Sequence, residues 1–124
     1  MKHRVLVVED NEANQLLAAS LLEREGYDVD IASTSVEAVA SIGRRTPDLI
    51  LMDVQLPGED GLSFTRRLRS DHATSGIRIV ALTALAMAGD RERTLEAGCD
   101  GYISKPIDTR TFAQDISKYL PNQA

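Results

Sequence analysis

The chain has 124 residues, 43% of them hydrophobic and 27% charged, with a net charge of -5. That length fits one domain with a packed core of its own and leaves little room for a second. The acidic balance argues against a nucleic-acid or anionic-membrane partner, because phosphate surfaces demand a basic patch. Cys99 is the only cysteine, so no internal disulfide can form and a reducing, cytoplasmic setting is expected.

The first apolar run, Val5-Leu6-Val7-Val8, is too short for a signal peptide or a membrane span and reads as a strand. Residues 11–25 follow as a helix, with Ala13, Leu17 and Leu21 at four-residue steps and Gly26 as its stop. Val29-Asp30-Ile31-Ala32 alternates like a second strand. Thr34-Ser35-Val36-Glu37 has the capping-box pattern ahead of a helix carrying Val36, Val39 and Ala40. Leu49-Ile50-Leu51-Met52 is a third strand, and Phe64 and Leu68 share one face of a helix that follows Gly61. Residues 77–82 form a fourth strand, and residues 88–97 predict a mostly charged helix closed by Gly98. Tyr102-Ile103 is a short fifth strand. Phe112, Ile116 and Tyr119 mark a last helix, for which Asp108 is a candidate N-cap.

Five strand-helix units in strict alternation imply parallel strands with right-handed crossovers, an α/β doubly wound sandwich of three layers. The continuous apolar runs suit strands covered on both faces. Five units favour the strand order 2-1-3-4-5, with ligands bound beyond the carboxyl ends of the strands near the switch between strands 1 and 3. The residues just past those ends are therefore the candidate site. They are Glu9 and Asp10 after strand 1, Asp53 after strand 3, Thr83 closing strand 4, and Ser104-Lys105-Pro106 after strand 5.

Three neighbouring carboxylates repel one another unless a cation joins them. Mg2+ suits such a set, taking hard oxygen ligands and keeping positions open for a phosphate. A carboxylate can attack phosphorus to give an aspartyl phosphate, with Lys105 and the cation stabilising the charge that develops. Each residue alone has a plainer reading. Glu9-Asp10-Asn11 could cap a helix, Asp53 could open a turn before Pro57-Gly58, Thr83 could be structural and Lys105 a solvated lysine. Their coincidence at one rim is what points to phosphoryl chemistry. His3 and His72 have no ligand spacing and suggest neither a zinc site nor a phosphohistidine.

The segments Val5-Leu6-Val7-Val8-Glu9-Asp10-Asn11, Asp48-Leu49-Ile50-Leu51-Met52-Asp53-Val54-Gln55-Leu56-Pro57, Ala81-Leu82-Thr83-Ala84 and Gly101-Tyr102-Ile103-Ser104-Lys105-Pro106, with Gly61, closely resemble the receiver domains of two-component response regulators. The resemblance covers nearly the whole chain and implies a flavodoxin-like three-layer sandwich. It implies that Asp53 is the phosphoacceptor and Asp10 the principal Mg2+ carboxylate. Glu9 would bind through water, and the backbone carbonyl of Gln55 would be a further ligand. Thr83 and Tyr102 take the switch positions, Lys105 the phosphoryl contact, and the Lys105-Pro106 bond is expected to be cis.

Residues 84–90 and 97–102 look like the DivK type of stand-alone receiver, and a chain ending one helix after Pro106 is expected to carry no output domain. Such a receiver is a phosphoacceptor rather than an enzyme with a separate substrate. Its expected partners are a histidine kinase or histidine phosphotransfer protein and a downstream protein. The expected output face is helix 4, strand 5 and helix 5, with Arg91, Arg93, Arg110 and Gln114 nearby. Leu85 cannot orient an attacking water whereas Gln55 could, which predicts slow self-dephosphorylation. Ala86-Met87-Ala88 reads as a helix start, or as an apolar contact for a partner helix.

Three other functions compete. An aspartyl-nucleophile phosphatase wants a carboxylate where Gln55 stands. A flavodoxin-like flavin carrier wants a phosphate loop where Glu9 and Asp10 would repel one. A receiver that docks without phosphorylation usually lacks a carboxylate or the lysine, and all are present.

Overall fold

A computed structural model describes residues 3–84 and 89–120. Strand β1 is Arg4–Val8, β2 Asp28–Ala32, β3 Leu49–Asp53, β4 Arg78–Thr83 and β5 Gly101–Ser104. They form one sheet in the order β2-β1-β3-β4-β5, every neighbouring pair parallel. The helices between and after them are α1 Glu12–Arg24, α2 Ser35–Arg44, α3 Gly61–Ser70, α4 Asp90–Glu96 and α5 Phe112–Ser117. Leu85, Ala86, Met87 and Ala88 lie outside the described residues, as do the first two and last four of the chain.

The pleat explains the continuous apolar runs. Successive side chains of a strand point to opposite faces, and here both faces are covered. Val5, Val7, Leu49, Leu51, Val80 and Leu82 meet α1 and α5 through Ala18, Leu21, Leu22, Phe112 and Ile116. Leu6, Val8, Ile50, Met52, Ile79 and Ala81 meet α2 and α3 through Ala38, Ile42, Phe64 and Leu68. Every residue of β3 is buried, Asp53 included.

Several helix details depart from the sequence reading. Of Ala13, Leu17 and Leu21, only Leu21 is buried; the core stripe of α1 runs through Ala18, Leu21 and Leu22. Val36, Val39 and Ala40 are exposed, and α2 buries Ala38 and Ile42 instead. Both helices carry apolar residues on two stripes, and only the stripe over the sheet is covered. Thr34 does cap α2, its hydroxyl accepting from the Glu37 N–H at 3.1 Å. Glu37, however, reaches past the cap to the Ser33 N–H at 2.7 Å. Helix α4 begins at Asp90 behind Gly89, whose φ of 93° is left-handed. The N-cap position of α5 is Thr111, not Asp108. The Asp108 carboxylate accepts from the Arg110 N–H, and its carbonyl from Thr111 and Phe112, so it organises the turn that precedes the helix.

At one edge of the sheet, β2 turns Asp28 and Asp30 toward Arg45, whose Nη2 lies 3.3 Å and 3.5 Å from their carboxylates. Arg4 on β1 approaches Asp28 at 3.8 Å. At the amino-terminal end of β4 and β5, Arg69 donates to the carbonyls of Gly98, Ser75 and Ile77 and to the Asp100 carboxylate, tying α3 to both strands. No helix of the described residues is long and apolar enough to cross a membrane.

Candidate functional site

Topology alone gathers the site. Strand β1 lies next to β3, β3 next to β4 and β4 next to β5, all running the same way. Residues that follow each strand therefore share the carboxyl rim although they are far apart in sequence.

At that rim, carboxylate oxygens of Glu9, Asp10 and Asp53 all lie within 4.8 Å of one another. Glu9 and Asp53 are buried and Asp10 is exposed. Lys105 Nζ stands 3.1 Å from Asp53 Oδ1 and 3.5 Å from Glu9 Oε1, bridging the two buried groups. The backbone N–H of Gln55 donates to Asp53 Oδ1 at 2.9 Å. Asn11 N–H donates to Glu9 Oε2 at 3.2 Å, while Glu9 Oε1 is buried without a hydrogen-bond partner. Burial, then the neighbouring Asp53 carboxylate, pushes the Glu9 carboxyl up to about 7.

One ammonium, 3.5 Å from Glu9 Oε1 and too far for a hydrogen bond there, does not balance three carboxylates, which leaves room for a further cation. This donor set of hard oxygens fits a divalent ion such as Mg2+. Gln55, the remaining expected ligand, lines the same open cleft as Glu9, Asp10, Asp53 and Lys105.

Thr83 ends β4 and lines a neighbouring cavity of about 230 Å3 with Asp53, Gln55 and Lys105. Its carbonyl accepts from the Lys105 N–H at 2.8 Å, which locks the β5 end beside β4. The Lys105-Pro106 peptide is cis. Tyr102 sits on β5, half-buried, and lines a different cleft with Arg91 and Phe112. The expected lifetime determinant Leu85 and the segment Ala86-Met87-Ala88 lie outside the described residues.

Three supports were not anticipated. Gln15 uses its side-chain amide to hold the Glu9 carbonyl at 2.5 Å and the Ser33 hydroxyl at 3.0 Å. No spacing in the sequence points to that brace. Asp90, Arg93 and Thr94 of α4 line the Thr83 cavity, and Asp90 and Arg93 form an ion pair. Nothing in the sequence pattern marks that wall. Gly61 lets the start of α3 press on the acceptor strand, since a Cβ there would stand 2.1 Å from the Asp53 carbonyl oxygen. Its own N–H donates to the Val54 carbonyl at 2.8 Å.

Comparison with known proteins agrees with this fold. A family model described as the response regulator receiver domain matches residues 5–117. The polar-differentiation response regulator DivK of Brucella ovis is 43% identical over 120 residues, covering 97% of this chain and 98% of its own. The receiver domain of sensor histidine kinase PA1611 from Pseudomonas aeruginosa, solved with magnesium ion coordinated in its active site cleft, matches with a TM-score of 0.84. It is 37% identical, over 96% of this chain and 98% of that one. Chemotaxis response regulator CheY4 of Vibrio cholerae, 24% identical, shares the fold with a TM-score of 0.90 over 97% of this chain and all of its own.

Proposed function

The chain belongs to the response regulator receiver family, and on that premise we propose that it takes a phosphoryl group on Asp53 and converts it into a change of protein-binding surface. The observation that carries this reading is the buried Asp53-Lys105-Glu9 arrangement, with the Asp10 carboxylate beside it.

Glu9, Asp10 and Asp53, with the backbone carbonyl of Gln55, would hold Mg2+, which when bound supplies positive charge to the phosphoryl oxygens. The remaining work falls to the chain. A phosphohistidine on a kinase or phosphotransfer protein enters the open cleft beside Asp53. A carboxylate oxygen of Asp53 attacks phosphorus and the P–N bond breaks, the histidine leaving as neutral imidazole because its ring takes one proton from solvent. Burial and the Gln55 N–H hold the nucleophile in one orientation, so little positioning entropy is lost in the transfer. Lys105 moves from pairing two carboxylates to pairing the new phosphoryl group. The Thr83 hydroxyl donates to another phosphoryl oxygen.

Thr83 and Lys105 thus contact the modified state differently from the free state, and such differential contact is what shifts a two-state equilibrium. Tyr102 follows Thr83 inward and alters the face built from α4, β5 and α5. In this reading residues 1–124 act as one receiver domain in the cytoplasm, similar to DivK. It serves a kinase or phosphotransfer protein upstream and a protein target downstream, with no nucleic-acid or membrane partner and no separate substrate of its own.

Intact-mass measurement after incubation with acetyl phosphate tests the reading. One phosphoryl adduct is expected with Mg2+, none with chelator and none for Asp53→Asn. Labelling of Asp53→Asn at the wild-type level overturns the assignment.

A further inference from the structure

Tyr102 packs part of its ring against the core on the α2–α3 side of the sheet and keeps the rest at the surface. Arg91, exposed on α4, places its guanidinium carbon 5.8 Å from the centroid of that ring. This is within the range at which a cation is attracted to an aromatic face. Arg91 forms no ion pair among the described residues, although acidic side chains stand nearby at Asp108 and Asp115 along the same open cleft. Among the described residues the ring is thus the partner of this charge.

We propose that Arg91 is a latch on Tyr102, the guanidinium over its ring holding the tyrosine at the surface and so setting the threshold of the switch. The inference rests on the reading that Tyr102 moves inward when Asp53 is modified. If the ring withdraws, the guanidinium loses its partner. The contact exists in one state only, and it weights the equilibrium toward the unmodified state by its own strength. Thr83 and Arg91 then act in opposition. The first draws the switch inward once a phosphoryl group is present, and the second resists until that pull exceeds it. A cation–π contact at an exposed position corresponds to roughly a two- to fivefold change in an equilibrium constant. Lysine would keep the charge but lose the planar group, so it should restore only part of the effect.

The test uses the full chain and beryllium fluoride with Mg2+, a mimic of a phosphoryl group on a carboxylate. The ring resonances of Tyr102, identified with Tyr102→Phe, are followed by NMR through the titration. In the wild type the Tyr102 signal should move as the mimic binds; a signal that stays put at saturation overturns the switch reading, and the latch with it. Given that movement, Arg91→Ala should lower the half-saturating concentration of the mimic roughly two- to fivefold, because apparent affinity scales with the population of the competent state even when that population is small. Arg91→Lys should fall between the two. An unchanged or raised half-saturation in Arg91→Ala overturns the latch while leaving the moving tyrosine intact. Should Arg91→Ala unfold more readily than wild type in urea, Arg91→Gln, which keeps most of the side-chain stem without the charge, gives the same readout.

Discussion

The same chemical change, glycine to alanine, should have opposite effects at two positions of this chain. At Gly61 a Cβ would stand 2.1 Å from the Asp53 carbonyl oxygen, 2.9 Å from its carbonyl carbon and 3.0 Å from Val54 Cα. All three are main-chain atoms of the acceptor strand or the residue after it, so no flexible side chain can swing aside. At Gly43 in α2 a Cβ would meet nothing within 4 Å. Overpacking of this kind costs about 1–3 kcal/mol. Alanine in a compatible helical site returns about 0.4–1 kcal/mol by restricting the unfolded chain. Gly61→Ala is therefore expected to lose about 1–2 kcal/mol net, and Gly43→Ala to gain about 0.5 kcal/mol. With an unfolding entropy of about 2.1 cal/mol/K per residue, each kcal/mol moves the melting midpoint of a chain this long by about 4 °C. Equilibrium urea unfolding and thermal melting of the metal-free proteins measure both, with an unchanged urea m value confirming that only stability has moved. Because the crowded atoms belong to Asp53, Gly61→Ala should also slow phosphoryl uptake from acetyl phosphate, and Gly43→Ala should not. Gly61→Ala as stable as the wild type, or both variants shifting the same way, would refute the reasoning.

Mg2+ should raise the melting midpoint of the wild type, by about 1.4 kcal/mol or about 6 °C at ten times its dissociation constant, and most of that gain should vanish in Asp53→Asn. An equal gain in both proteins, seen by differential scanning calorimetry, would place the cation elsewhere. Arg69→Met should cost about 2–3 kcal/mol in urea unfolding, because it strands three carbonyls and leaves the Asp100 carboxylate with only the Ile79 N–H. Arg69→Lys should recover only a fraction, since one ammonium cannot span four acceptors. Asp60→Ala should cost about 1 kcal/mol by leaving the Leu62 and Ser63 N–H groups uncapped, with Asp60→Ser near the wild type. Burial raises the Cys99 thiol above its ordinary range, so a thiol reagent at neutral pH should label it slowly in the native protein and quickly in urea.

The fold was legible because its central strands are covered on both faces, which writes β1, β3 and β4 as unbroken apolar runs. The helix faces were less so. Val36 and Val39 look like a core stripe, and only the position of the sheet decides that Ala38 and Ile42 are covered instead. Likewise Asp108 and Thr111 are both competent caps, and the turn between them settles which one starts α5. At the site, the residues that follow strand ends were readable because parallel topology carries them to one rim. What could not be read depends on how closely a helix approaches the sheet. The pressure of Gly61 on Asp53, the wall formed by Asp90, Arg93 and Thr94, and the placement of Arg91 over Tyr102 all arise from packing distances that leave no periodic trace.

The outermost strand β2 has one flank with no neighbouring strand among the described residues, where a stranger's backbone could be zipped on. Asp28 and Asp30 stand along it, held by Arg45. Charged side chains along an edge disfavour its pairing with a further strand, because pairing would take them out of water. The opposite border, β5, is only four residues long and offers little to grip. The sheet thus ends on one side in a charged strand and on the other in a short one, two borders that offer a foreign strand little to pair with.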